Sequence, residues 1–154
     1  MTSSPVFISH DELGDLLCDV LAKGSSCRFQ SKGHSMSPFV EDGDIVTVSP
    51  LAGSRMGFGS VVVFTCPRTG KVMVHRIVGT KGKHYLTRGD NAAEADSLVS
   101  KDKIAGVVSM VERQDTRVSL GFGMERVVIG VLSRMGMLPS AVRSWRWIRR
   151  MTRT

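Results

Sequence analysis

Apolar positions along this chain follow two different rhythms. Between residues 10 and 23, Leu13, Leu16, Leu17, Val20 and Leu21 recur at helical spacing behind a Ser9–Glu12 capping box, and Gly24 ends the run. That spacing predicts a short amphipathic helix. From Cys27 onward the apolar runs are brief, rich in β-branched residues and punctuated by turn residues. They predict strands at Cys27–Ser31, Ile45–Val48, Ser60–Cys66, Lys71–Gly79, Lys83–Thr87, Lys103–Glu112 and Thr116–Leu120. Pro67 stops the third run, Arg68-Thr69-Gly70 turns it into a hairpin, and Arg113–Asp115 closes the last one. Helical spacing returns at Met124–Leu138 and Ser140–Met151, with Pro139 between them because proline cannot continue the first helix. The expected fold is therefore mainly β, with a short helix before the body and amphipathic helices after it.

At 154 residues the chain suits one domain with its own core. The pattern divides it into residues 1–26 (helix and lead-in), 27–120 (β-rich body) and 121–154 (helical tail). The 16 glycines are spread out, without a repeat or low-complexity tract. Cys18, Cys27 and Cys66 are an odd set with no C-x-x-C spacing, so neither a disulfide framework nor a metal site is expected, and a reducing compartment fits. Asp11, Glu12 and Asp15 interrupt the N-terminal region before it can read as a secretory signal. The longest apolar candidate for a membrane span, Val127–Leu138, carries Arg134 and two glycines and is too short. A cytoplasmic or peripherally membrane-associated protein without signal peptide or transmembrane helix is the expectation.

Charge changes this picture only at the C-terminal end. Residues 1–112 hold 12 Lys and Arg against 12 Asp and Glu, whereas residues 113–154 hold 9 arginines against 2 acids. Val142, Trp145 and Ile148 share one helical face there, and Arg143, Arg146, Arg150 and Arg153 another. A basic amphipathic helix with tryptophan suits an anionic membrane surface or packing on the body. Nucleic acid ranks below both, because no helix-turn-helix precedes the body. No feature speaks for an oligomeric state.

The chemistry-bearing segment is Gly33-His34-Ser35-Met36-Ser37-Pro38, followed at once by Glu41, Asp42, Gly43 and Asp44. It sets one serine on a tight turn before an apolar strand. A serine hydroxyl needs a neighbouring base to remove its proton as it attacks a carbonyl, and His75 in a later strand is a candidate. Imidazole titrates near pH 6.5, so it can take that proton and return it to a leaving amine. A carboxylate on its other nitrogen would fix the tautomer, and by chain distance either Asp90 or Asp96 would serve. Taken singly, each feature has an ordinary structural reading: a serine before methionine, a core histidine, a G-D-N turn. His34 reads as a surface or pocket residue, since adjacent side chains point apart, and His10 and His84 have no ligand set around them. Asp44 and Arg76 read as structural charges.

Three segments in order carry a family resemblance: G-H-S-M-S-P with G-D-I-V after it, V-H-R-I-V at 74–78, and T-R-G-D-N-A-A-E-A-D at 87–96. They resemble the type I signal peptidases and their LexA-type relatives. Histidine followed by arginine, His75-Arg76, and two aspartates six apart are similar to the endoplasmic-reticulum and archaeal branch; most bacterial members carry lysine as base. The resemblance spans residues 27–113. It implies a coiled β-sheet body, Ser35 as nucleophile, His75 as general base and Asp96 as the carboxylate orienting it, with Asp90 and Arg76 supporting the site. Backbone N–H groups of the turn would hold the oxyanion, and Gly33 stands where many bacterial members have a second serine donor. Met36 would seat the turn by packing beneath it and Pro38 by fixing φ. Members of this resemblance carry a transmembrane helix before the serine box, where this chain has about thirty amphipathic residues.

The expected activity is that of a serine endopeptidase, cofactor-free and metal-free, cleaving a leader- or signal-type peptide after small residues. The substrate would be an extended peptide or protein segment laid along a strand edge. The alternatives are a LexA-like self-cleaving regulator, with Ala92, Ala93 and Ala95 as small residues in its own chain, and an inactive peptide-binding or membrane-surface module.

Overall fold

The computed structural model describes residues 10–93, 98–119, 121–140 and 143, with side chains in the first helix from Gly14 onward. Helix α1 (His10–Ala22) is followed by β1 (Cys27–Gln30), β2 (Ile45–Pro50), β3 (Val61–Thr65), β4 (Val72–Lys81), β5 (His84–Arg88) and β6 (Leu98–Ser100). A 3-10 turn at Lys101–Lys103 leads into β7 (Ile104–Arg113), β8 (Thr116–Arg117) and helix α2 (Arg126–Arg134). The strands form one curled antiparallel half-barrel sheet in the order β1-β2-β7-β3-β4-β5-β6, with β8 on β7. The mainly β architecture expected from the sequence is the one observed.

β3 runs through the middle and is buried on both faces, which is why its sequence is unbroken Val-Val-Val-Phe rather than alternating. Val61 and Val63 face one apolar cluster with Leu17 and Leu21 of α1, Met36, Val40, Val46, Val48, Val108 and Val111. Val62 and Phe64 face a second, with Ile77, Val99, Ile104 and Val107. Each fully buried aliphatic side chain contributes about 1.5–3 kcal/mol by leaving water. Helix α1 closes the first cluster and comes so near β4 that a Cβ on Gly14 would lie 2.6 Å from Val72.

Edges of this sheet lie open on both sides of the serine turn. Among the described residues β1 pairs only with β2, and the first residues of β4 pair only with β3, because β5 joins β4 from Arg76 onward. Alternating antiparallel pairing along the path β1-β2-β7-β3-β4 makes β1 and β4 run in the same direction.

The structure differs from the sequence reading in three places, and a fourth reading falls outside the described residues. β6 and its 3-10 turn were not expected, since Leu98-Val99-Ser100 is too short to show a period. The strand expected at Thr116–Leu120 pairs only at Thr116–Arg117, and Leu120 lies outside the described residues. The helix expected over Met124–Leu138 ends at Arg134 instead. Gly136 at φ +70° ends it, its N–H reaching Ser133 O while Met137 N–H reaches Leu132 O, a Schellman closure; Pro139 falls in the helical turn that follows. The helix expected at Ser140–Met151 lies outside the described residues apart from residues 140 and 143.

Candidate active site

The turn between β1 and β2 carries the candidate nucleophile. Gly33 adopts φ +93°, a conformation that favours glycine, and its N–H donates to Asp42 Oδ1 at 2.8 Å. Ser37 N–H closes on His34 O, Phe39 and Val40 N–H groups close on Met36 O, and the Ser37–Pro38 peptide is cis. Met36 is buried beneath the turn in the first core cluster, while Ser35 and His34 are exposed above it. Arg113 of β7 pins the far end of the turn: it donates to both oxygens of Asp44, at 2.9 and 2.7 Å, and to Pro38 O at 3.2 Å. Burial disfavours the charged form of Asp44, but the Arg113 hydrogen bonds, the Glu41 N–H and the Arg113 charge outweigh it and hold the pKa below the usual carboxylate value.

β4 brings His75 to this turn. Its Nε2 lies 3.2 Å from Ser35 Oγ, although the residues are 40 apart in sequence. The ring is 3% exposed and tilted against Phe64, with ring centroids 6.0 Å apart. The third wall is the turn after β5. Asn91 N–H donates to Ser35 O at 2.8 Å and Asn91 Nδ2 to His34 O at 3.2 Å. Gly89 presses on the pair itself: a Cβ there would lie 2.8 Å from Ser35 O and 3.1 Å from His75 Nε2. Arg88 braces the same turn by donating to Ala92 O and Ala93 O.

Asp90 is engaged elsewhere. Arg76 donates to it through Nε at 2.9 and 3.1 Å and through Nη2 at 2.7 Å, and both side chains are fully buried. Arg76 Nη1 also donates to Gly59 O at 2.8 Å and Gly121 O at 2.9 Å, and its guanidinium lies 5.2 Å from the Phe39 ring centroid. Burial pushes the Asp90 carboxyl up, opposed first by the Arg76 hydrogen bonds and charge and then by His75 nearby. Asp96, the other aspartate of the motif, lies outside the described residues.

Ser35 and His75 sit on a cleft of about 960 Å³ lined by Phe29–Gly33 on the β1 side, Cys66, Arg68, Thr69 and Lys71–Val74 on the β3–β4 side, Ala92 and Ala93 at the end, and Gly14 and Leu17 of α1. Sequence reasoning named Ser35, His75, Gly33, Met36, Pro38, Arg76 and Asp90, all of which meet here or directly behind it. It gave no role to Gly89, Arg88, Asn91 or Arg113. The first three lie in the quoted T-R-G-D-N stretch, so a signal was present; for Arg113 there was none, because its partner is 69 residues away. Among the described residues no cluster of His, Cys, Asp and Glu is arranged to hold a metal ion.

A curled antiparallel sheet that carries a serine on a turn, with a histidine within hydrogen-bond distance, defines the serine-peptidase class that the sequence resembled. Residues 9–109 match the family model described as Peptidase S24-like, and the chain belongs to that family. Membership makes it a serine-peptidase-type hydrolase fold whose substrates are peptides or proteins. No curated protein matches the chain. No helix among the described residues is long and apolar enough to cross a membrane.

Proposed function

We propose that this chain is a serine endopeptidase that cleaves an extended peptide after small residues, in the manner of the histidine-base signal peptidases. The observation that carries the reading is the 3.2 Å approach of Ser35 Oγ to His75 Nε2 on a cleft flanked by two open strand edges. The substrate backbone adds to the unpaired edges of β1 and early β4, which fixes its scissile carbonyl over the serine. His75 Nε2 takes the Ser35 proton as Oγ bonds the carbonyl carbon, then gives it to the departing amine; water enters by the same route to release the acyl group. The Ser35 N–H, which makes no hydrogen bond among the described residues, is the first oxyanion donor.

In this reading Asp96 orients His75. Support comes from Asp90, whose two oxygens are already committed to Arg76. Asp90 and Arg76 hold the strand behind the base rather than relay its proton. Self-cleavage at Ala92 or Ala93 is disfavoured, because the Arg88 guanidinium holds both carbonyls as part of the cleft wall.

The proposal extends to where the enzyme works. Six of the eight exposed large apolar residues among those described, Met124, Val127, Val128, Val131, Met135 and Met137, fall on or beside α2, within the arginine-rich region after residue 112. That combination supports contact of the C-terminal part with an anionic membrane surface, the 27–120 body acting as the catalytic unit.

The deciding experiment is mass-spectrometric cleavage profiling of a mixed peptide library with the full chain and Ser35→Ala, with and without anionic vesicles. Cuts that vanish in the variant support the peptidase, and identical profiles from both proteins overturn it. Gain of cleavage or of bound protein with vesicles supports the membrane part; indifference to them refutes it.

A further inference from the structure

The cleft walls carry a charge pattern that the catalytic pair does not use. Lys32 projects from the β1 side, and Arg68 and Lys71 from the hairpin turn joining β3 to β4. All three are exposed, and none is paired with a carboxylate among the described residues. The described lining residues include no Asp or Glu at all. Chance placement of cations on a body with 12 positive and 12 negative side chains through residue 112 does not favour three of one sign around one groove.

The same turn also meets the cleft lining through Cys66. The Cys66 thiol is held below its usual pKa, mainly by its hydrogen bond with Thr69 against the cost of burial, with backbone N–H groups and the Arg68 charge adding to the effect. Nearer the dyad the lining is apolar: Leu17, Phe29, Met36, Val40, Val72 and Val74. A ligand lying in the cleft therefore meets an apolar floor beside Ser35 and positive potential beyond it.

We propose that the cleft selects peptides bearing an acidic side chain about four residues from the scissile bond, held by Arg68 and Lys71 at the start of β4, while Lys32, at the far end of β1 near Ser35, adds only to the overall positive field. The spacing follows from β4. Lys71 precedes His75 by four residues of extended chain, about 13 Å at strand rise, so a peptide in register along that edge presents its fourth side chain to the turn. Because β1 and β4 run in the same direction, the added strand is parallel to both or antiparallel to both. The acidic residue then lies before the scissile bond in the first case and after it in the second. The selection rests on the peptide-cleaving reading of the same cleft, but binding reads it separately from catalysis.

Exposed cations steer encounter and tune specificity more than they fix affinity. A preference of about tenfold for one glutamate over glutamine at the favoured position is the scale expected at low salt, and it should fade as the Debye length shortens from about 10 Å at 0.1 M to about 3 Å at 1 M.

The test uses fluorescein-labelled peptides of about twelve residues with an Ala-Ala centre, in which a single Glu, Gln or Lys is walked through every position. Anisotropy gives their binding to the full-length Ser35→Ala chain, and chromatography gives their cleavage by the wild type. The expected result is a Glu-over-Gln-over-Lys order at one position about four from the centre, lost in an Arg68→Glu/Lys71→Glu variant, whose Glu-to-Lys ratio inverts. Binding with that order but no cleavage would sustain the charge selection and sink the peptidase. Cleavage or binding indifferent to charge at every position would overturn the selection and leave the peptidase standing. Absence of binding by any peptide at low salt would also overturn it.

Discussion

Replacing Gly89 by alanine sets a methyl group between the two residues on which the proposed chemistry depends. The added Cβ would lie 2.8 Å from Ser35 O, 3.1 Å from His75 Nε2 and 3.2 Å from Ala92 Cβ, where ordinary contact begins at 3.4 Å. The largest overlap is with a backbone carbonyl that Asn91 N–H already holds at 2.8 Å, so the serine turn has little room to yield. Either the turn or the imidazole must move by several tenths of an ångström. Ser35 Oγ and His75 Nε2 stand 3.2 Å apart, at the outer edge of the usual hydrogen-bond range, so a small separation breaks the contact. A misplacement of about 1 Å costs about 10²-fold, so a shift of several tenths should lower kcat by about tenfold. Overpacking should cost about 1–3 kcal/mol of stability, and at this chain length each kcal/mol lowers Tm by about 2–4 °C. The assay is single-turnover cleavage of a peptide found by library profiling, with calorimetric Tm measured in parallel. Gly57→Ala serves as control, since nothing lies within 4 Å of a Cβ there. Wild-type kcat in Gly89→Ala, with the fold intact, would refute the assignment of this contact to the catalytic pair.

Three further outcomes follow from the same geometry. Asp90→Asn leaves Arg76 charged and buried with its main partner removed, and should cost about 3–5 kcal/mol, whereas Arg76→Met/Asp90→Leu should recover part of it; urea denaturation that finds the single variant as stable as wild type would contradict the pairing. Asp44→Asn removes a carboxylate whose pKa is lowered in the fold. Its stabilising contribution is fully present above the unfolded value of about 4 and disappears as pH falls through the lower folded value, so wild type and variant should converge as the solution is acidified below the unfolded value; a gap that stays constant with pH would count against it. Val128→Glu/Val131→Glu places charge on the exposed face of α2 and should reduce sedimentation with anionic vesicles at unchanged Tm; equal sedimentation would remove the membrane contact.

The elements legible in the sequence were those with a local cause. α1 follows from its leucine period and glycine stop, and β3 from a β-branched run ended by proline. β6 has three residues and takes its place from pairing with β5, so no local signal announces it. The end of α2 was read one turn late because Pro139 looked like the breaker, whereas Gly136 already supplies the left-handed residue a helix end requires. At the site, Ser35 and His75 were visible as residue types, and the structure adds their approach. Arg113 could not be read at all: its meaning depends on β2 and β7 pairing in a register that sets Ile45 opposite Glu112 and so brings Arg113 beside Asp44.

The residues that hold the candidate base and nucleophile in place extend past the family match at residue 109. Arg76, next to His75 on β4, ends on the carbonyl of Gly121, and Gly121 N–H is held by the Glu125 carboxylate just before α2. Phe39, which follows the serine turn, packs with Ile129 and Leu138 and lies under the Arg76 guanidinium. Arg134 of α2 donates to Val78 O on β4 at 2.9 Å. One segment, residues 121–138, therefore touches the strand of the base and the turn of the nucleophile through different contacts. Its inner face anchors the site while its outer face stays apolar and exposed, so whatever covers that outer face acts on a helix already coupled to Arg76 and Phe39. Membrane or partner contact at α2 would therefore bear on the candidate nucleophile and base through those two side chains.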